Sequence, residues 1–160
     1  MKTILKKLIT PVLQKHWLID LHFAIIRFIC GMLLTIDFGA SKFGMPWTPA
    51  DRNLSLFEVS AWFPEDVAAY GGIFALFPVF FAWMGAFSEA VGGLFLAFGL
   101  KTRIASFLII CTMLVAIFMQ KWSQGTWGML PAMGFLWMAT YNLYLGSGRF
   151  GIDYLISKKL

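Results

Sequence analysis

Charged residues are scarce in this chain. Asp, Glu, Lys and Arg make up 13% of its 160 residues, whereas they make up about 25% of a typical soluble domain. Hydrophobic residues account for 59%, which is more than a soluble protein of this length can bury. This balance excludes an ordinary soluble domain and predicts a protein whose surface contacts the lipid bilayer.

Cysteine and histidine are also rare. Cys30 and Cys111 lie in separate apolar runs without a CxxC spacing, so no disulfide framework is indicated. His16 and His22 lie near the start of the first run, whereas membrane haem proteins hold the haem with histidines inside the bundle. Zinc spacings, phosphate loops and nucleophile motifs are lacking as well. We therefore expect no metal site and no intrinsic cofactor, and the sequence identifies no catalytic residue.

The net charge of +5 comes from cations at the ends of the apolar runs. They form no basic stripe with interleaved aromatic residues, so we expect no nucleic-acid partner. Because cytoplasmic loops are rich in Lys and Arg, the distribution predicts that both chain ends are cytoplasmic. The cations assigned to the cytoplasmic side are Lys2, Lys6, Lys7, Lys15, Lys101, Arg103, Arg149, Lys158 and Lys159.

Four apolar runs are each long enough for a helix across the hydrocarbon core, which needs about 20 residues. The prediction is an all-α integral membrane four-helix bundle. Its spans are placed at about 20–38, 78–100, 103–121 and 128–146. The predicted organisation is a cytoplasmic interfacial segment at 1–19, the four-span domain at 20–146 and a cytoplasmic tail at 147–160.

The second apolar run is longer than one span requires. Residues 67–100 would form a helix of about 50 Å, against a hydrocarbon core of about 30 Å. Pro78 is predicted to divide the run. Residues 65–77 then form an outer extension or surface helix that begins after Pro64. We therefore predict one outer-face loop with a short interfacial helix.

Arg27 and Glu89 fall well within predicted spans, where a charge is costly and is usually paired or functional. Helical phase places each beside small residues, which mark helix contacts in membranes. Counted from the cytoplasmic ends, they lie about 11 and 16 Å into the membrane, which predicts an Arg27–Glu89 ion pair. Asn142 shares a small-residue stripe of the fourth span and is also predicted to point inward.

This polar group has two interpretations, and the sequence leaves both open. Arg27 and Glu89 could form a structural clamp that fixes the register of two helices. Alternatively, Arg27, Glu89 and Asn142 could contact a polar head group, a quinone carbonyl or a proton.

Several short motifs occur in a characteristic order. Arg27 and Gly31 are followed by FGASK at 38–42, EAVGG at 89–93 and GLKTR at 99–103, and GSGR at 146–149 precedes Asp153. In this respect the chain resembles the DoxX family of small four-helix bacterial membrane proteins, over about residues 20–155. Besides Arg27 and Glu89, the positions that match the family motifs are Gly31, Gly39, Lys42, Gly92, Gly93, Arg103, Gly146, Gly148 and Asp153.

The resemblance implies a multi-pass protein of the bacterial cytoplasmic (inner) membrane. It further implies a small membrane subunit of a quinone-linked redox complex, related to sulfur metabolism or redox stress, with quinone as a ligand and a soluble or peripheral redox partner. A non-enzymatic scaffold, assembly factor or small-solute carrier is the alternative, and homo-oligomerisation is left open. Two features depart from the family: residues 43–77 are long for a minimal member, and Gly151 stands where members often carry serine.

Overall fold

The computed structural model describes residue 6 and residues 8–159. The segment predicted at 1–19 therefore lies partly outside the described residues. Regular structure within the described part is helical, apart from one isolated antiparallel bridge between Phe43 and Val59. The all-α prediction is confirmed.

Three helical stretches are long and apolar enough to cross a membrane: Trp17–Gly39, Pro78–Phe98 and Thr102–Leu145. We label the first α1 and the second α4. The third contains two helices, α5 and α6, and α5 is followed by π-helical turns over Ala116–Lys121. The remaining bounds are α2 Trp62–Ala68, α3 Gly72–Leu76, α5 Thr102–Val115, α6 Gly125–Leu145 and α7 Ile152–Ser157.

The third stretch folds back on itself. Its 44 residues would extend about 66 Å as a straight helix. A 3₁₀ turn at Trp122–Gln124 and the left-handed φ of +71° at Gly125 reverse the chain. Arg103, in the first turn of α5, donates to the carbonyl of Leu143 near the end of α6 at 3.1 Å. The two helices therefore lie antiparallel, and they share a core of Ile109, Met113, Ile117, Ala132, Phe135, Met138 and Ala139.

Proline and glycine determine the breaks in the second apolar run. Phe77 is non-helical, as expected for a residue before proline, and α4 begins at Pro78. The predicted division at Pro78 is thus confirmed. The predicted surface helix at 65–77 is not one helix, because Gly71 and Gly72 take left-handed φ values of +74° and +55° and separate α2 from α3.

Small residues bring α1 and α4 into backbone contact. A Cβ atom on Gly31 would lie 2.6 Å from the carbonyl oxygen of Gly93, and one on Gly39 would lie 2.5 Å from the Cα of Ala90. The hydroxyl of Thr35 donates to the Ala90 carbonyl at 2.9 Å. Close approach over small residues is how membrane helices associate without a hydrophobic driving force. Gly39, the last residue of α1, therefore lies level with the middle of α4.

The segments before α1 and after α6 pack together at the opposite end of the bundle, which is the end predicted to be cytoplasmic and which we call the inner end. Asp20 and Arg149 form an ion pair of 2.8 Å, and the amide of Val12 donates to the Leu145 carbonyl at 2.8 Å. Asp153 is 1% exposed and accepts hydrogen bonds from the Lys101 and Thr102 amides at 2.7 and 2.8 Å. The predicted tail at 147–160 is thus packed on the bundle over its described residues.

Asp153 caps the start of α5 from a distant part of the chain. Removing its carboxylate leaves the Lys101 and Thr102 amides without a hydrogen-bond acceptor. We expect Asp153→Ala to lower the free energy of unfolding by about 2 kcal/mol, and Asp153→Asn to lower it by less because one acceptor remains. Unfolding in a mild detergent measures the change. Asp51→Ala, at an exposed aspartate of the outer loop, is the control, and an equal loss there would refute the capping role.

Candidate functional site

A cavity of about 340 Å³ lies between α4, α5 and the helices α2 and α3. These two helices belong to residues 43–77, the segment predicted to lie on the outer face, which we call the outer segment. One face of α4 and one face of α5 line the cavity, each with residues three and four positions apart. Small side chains on these faces leave the space open, while phenylalanines from several elements surround it. The α4 and α5 residues of these two faces are Phe81, Met84, Gly85, Ser88, Leu108, Cys111, Thr112 and Val115.

An ion pair lies in the wall of this apolar cavity. The ammonium of Lys42 is 2.6 Å from Oε2 of Glu89, and the two side chains are 13% and 5% exposed. The ammonium also lies over the ring of Phe63, 5.1 Å from its centroid. An ion pair in apolar surroundings costs desolvation energy on both partners, so its position beside a cavity points to a role in that cavity.

Ser88 adds an unsatisfied polar group next to Glu89. It is 1% exposed and lines the cavity, yet its hydroxyl has no hydrogen-bond partner within the described part of the chain. Helical hydroxyls commonly bond to the carbonyl four residues earlier, as those of Thr112 and Thr140 do here. Ser88 begins π-helical turns at Ser88–Gly92, a geometry that is frequent at functional sites.

Tyr70 lines the cavity from the outer segment. Burial raises the pKa of its phenol, and the negative charges of Asp66 and Glu89 raise that pKa further. Since the ordinary pKa of tyrosine is about 10, the phenol stays protonated at physiological pH. Tyr70 therefore presents a neutral group, able to donate a hydrogen bond, to the cavity.

The predicted Arg27–Glu89 ion pair is wrong. Arg27 donates instead to the carbonyl of Ser147 and, at 3.2 Å, to that of Phe150. Counting residues from the predicted cytoplasmic ends placed Arg27 and Glu89 at similar depths in the membrane. In the structure, α1 is displaced toward the inner end of α4. Arg27 consequently lies beside Gly99, where an added Cβ would be 2.9 Å from its guanidinium. The basic residue that reaches Glu89 is Lys42.

The predicted site residues therefore separate into two layers. Asn142 is buried, as predicted, but its amide donates to the Met138 carbonyl of its own helix at 2.8 Å, and it lies in the inner layer with Arg27. Lys42, Glu89 and Ser88 form the outer layer at the cavity. The inner layer consists of Arg27, Arg103, Asn142, Gly146, Gly148 and Asp153, and Gly31, Gly39, Gly92 and Gly93 lie at helix contacts.

Sequence reasoning missed Ser88, Tyr70 and the role of Lys42. The position of Ser88, directly before Glu89 in a long apolar run, was a usable signal. The pairing of Lys42 with Glu89 gave no such signal, because Lys42 lies beyond the end of the predicted first span. No group of three or more His, Cys, Asp or Glu side chains that could hold a metal ion occurs in residues 8–159.

The family model for DoxX matches residues 22–122. The chain belongs to the DoxX family. The match includes most of α1, the outer segment, α4 and α5, and with them Lys42, Ser88 and Glu89. It ends before α6, so the GSGR motif and Asp153 lie beyond it. Together with the apolar helices, the match identifies a multi-pass membrane protein. No curated protein and no solved structure matches the chain.

Proposed function

We propose that this DoxX protein crosses the bacterial inner membrane four times, with both ends in the cytoplasm. The antiparallel packing of α5 on α6 supports two crossings within the third apolar stretch. Arg103 supports a common inner end, because its guanidinium donates to the carbonyls of Thr10 at 2.8 Å and Tyr144 at 3.2 Å. Arg149 and Lys101 lie at the same end, as expected for the cytoplasmic side.

We further propose that the protein is the small membrane subunit of a quinone-linked redox complex, and that the quinone ring binds in the cavity. The observation that carries this proposal is the combination of an aromatic-lined cavity with the Lys42–Glu89 pair and the unpartnered Ser88 hydroxyl. Ligand sites are mostly apolar, occupy about 300–1,000 Å³ and contain a few polar groups that fix orientation. The cavity meets each of these criteria.

The residues have distinct roles in this proposal. The phenylalanines contact the faces of the ring, and Lys42 donates to a carbonyl oxygen. Glu89 holds the ammonium in place and balances its charge. Electrons come from a soluble or peripheral partner in a sulfur or redox-stress pathway, as in the family that the chain resembles, and the cavity supplies binding and orientation.

A small-solute carrier or a scaffold is the second candidate. The π-helical turns at Ser88–Gly92 interrupt the regular hydrogen bonding of α4 near its middle, and carriers commonly place discontinuous helices at their binding sites. In that case the cavity would hold a transported solute or a structural lipid rather than a redox-active ring.

Quinone that is retained through purification tests the first candidate. We expect the wild-type protein in mild detergent to carry about one quinone per chain, detected in an organic extract by mass spectrometry. We expect at least about a fivefold loss in Glu89→Gln, because the amide holds the Lys42 ammonium less firmly. Glu65→Gln, at an exposed glutamate of α2, should retain quinone. Absence of quinone from wild type and both variants would favour the scaffold or carrier.

A further inference from the structure

We propose that the cavity selects a ligand with a neutral carbonyl head, which accepts hydrogen bonds from the Ser88 hydroxyl and the Lys42 ammonium, while its apolar tail leaves between Phe80 and Phe107 into the bilayer. This proposal deepens the proposed quinone site and rests on it. It assigns Ser88 as a binding residue and predicts which head groups bind weakly.

The Ser88 hydroxyl requires an acceptor that the described protein does not supply. A buried hydroxyl without a partner is costly, and here the hydroxyl lies at a cavity large enough for a ligand. Ser106 is a useful comparison, since it is also fully buried with an unpartnered hydroxyl but does not line the cavity. A ligand carbonyl would satisfy Ser88 and leave Ser106 unchanged.

The charge of the site favours a neutral acceptor. Lys42 has three N–H donors, and among the described residues its ammonium donates one hydrogen bond, to Glu89. Donors therefore remain for a ligand oxygen. Glu89 neutralises the lysine charge at 2.6 Å and would repel a carboxylate or phosphate placed beside it. A carbonyl receives the hydrogen bonds without that repulsion.

The tail direction follows from the exposed part of the cavity wall. Phe80 on α4 and Phe107 on α5 both line the cavity, yet they are 59% and 57% exposed. Both belong to stretches that are apolar enough to span a membrane, so their exposed surfaces face lipid. An apolar chain leaving between them stays in the hydrocarbon region while the head reaches Ser88.

Ligands that share a tail and differ in the head test this selection. The full chain is placed in lipid nanodiscs and titrated with a decyl-substituted benzoquinone, with undecanoate and with decylbenzene. Dissociation constants follow from the ligand dependence of the melting temperature. We expect the quinone to bind at least about tenfold more tightly than undecanoate, since Glu89 repels the carboxylate, and than decylbenzene, which accepts no hydrogen bond.

The serine variants assign the donor. Ser88→Ala should weaken quinone binding by about tenfold without lowering the melting temperature of the ligand-free protein, because alanine removes an unsatisfied hydroxyl. Ser106→Ala should leave quinone affinity unchanged. Ser88→Cys, which keeps a weaker donor, should give intermediate affinity and provides a second variant if Ser88→Ala folds poorly.

Three results would overturn the proposal: equal affinity for undecanoate, unchanged quinone affinity in Ser88→Ala, or no binding of the added quinone. These failures differ from failure of the redox-subunit proposal, which would appear as absence of endogenous quinone from the purified protein. A protein that purifies without quinone but binds the added analogue through Ser88 would retain the site and lose the redox role.

Discussion

Replacing Glu89 with alanine should lower the free energy of unfolding by about 3 kcal/mol, because the Lys42 ammonium is then buried without its counter-ion. Lys42→Met should be destabilising for the complementary reason. The double variant Lys42→Met with Glu89→Leu should recover most of the loss, since apolar side chains of similar volume replace a buried ion pair at little cost. Unfolding of each variant in the same detergent gives the pairwise coupling energy, expected at about 1–3 kcal/mol.

The matched control replaces Arg27, the second buried basic residue, instead of Lys42. Arg27→Met with Glu89→Leu should be less stable than Glu89→Leu alone, because Arg27 ties α1 to the carbonyls of Ser147 and Phe150 and has no contact with Glu89. Recovery in the Arg27 double variant together with no recovery in the Lys42 double variant would show that the pairing is between Arg27 and Glu89 after all.

The stability and ligand experiments also divide the two interpretations of the buried polar residues. Arg27 belongs to the packing of the inner end, near the Asp153 carboxylate with which it interacts electrostatically. Glu89 belongs to the cavity wall, so the same substitution affects both stability and ligand retention. The structural clamp and the ligand contact are therefore not alternative roles of one pair of residues. The clamp belongs to the layer of Arg27 and the ligand contact to the layer of Glu89. The two layers are about 18 Å apart along α1, the distance from Arg27 to Gly39.

The helices were predictable because each depends on local features of the chain. Long apolar runs locate α1, α4 and the hairpin of α5 and α6, and Pro78 fixes where α4 begins. The small-residue faces of α1 and α4 were predictable for the same reason, since helical phase alone places Gly31 and Gly93 on contact faces.

The site was less predictable because it depends on how far one helix is displaced along another. A displacement of α1 toward the inner end changes the partner of Glu89 from Arg27 to Lys42. The sequence periodicity of α1 and α4 does not predict this displacement. The cavity itself results from small side chains on α4 and α5 facing each other beneath the aromatic outer segment. Sequence shows the small residues but not that the space between them stays unfilled.

The backbone contact between α1 and α4 should tolerate very little added volume. We expect Gly31→Ala to lower the free energy of unfolding by about 3 kcal/mol or more, because its Cβ would lie 2.6 Å from the Gly93 carbonyl oxygen and 2.7 Å from the Ala97 amide nitrogen. These are backbone atoms, so the clash can be relieved only by moving the helices apart. Gly39→Ala faces the same limit against Ala90.

Gly134→Ala is the matched control, since an added Cβ on this α6 glycine meets nothing within 4 Å. Its stability should be unchanged or higher by about 0.5 kcal/mol, as expected when alanine replaces glycine inside a helix. Gly39→Ala should also reduce quinone retention, because separating Gly39 from Ala90 moves Lys42 away from Glu89, whereas Gly134→Ala should not. Equal stability of the Gly31 and Gly134 variants would mean that α1 and α4 do not approach through backbone contact. That contact would then not explain why Lys42 lies at the same level as Glu89.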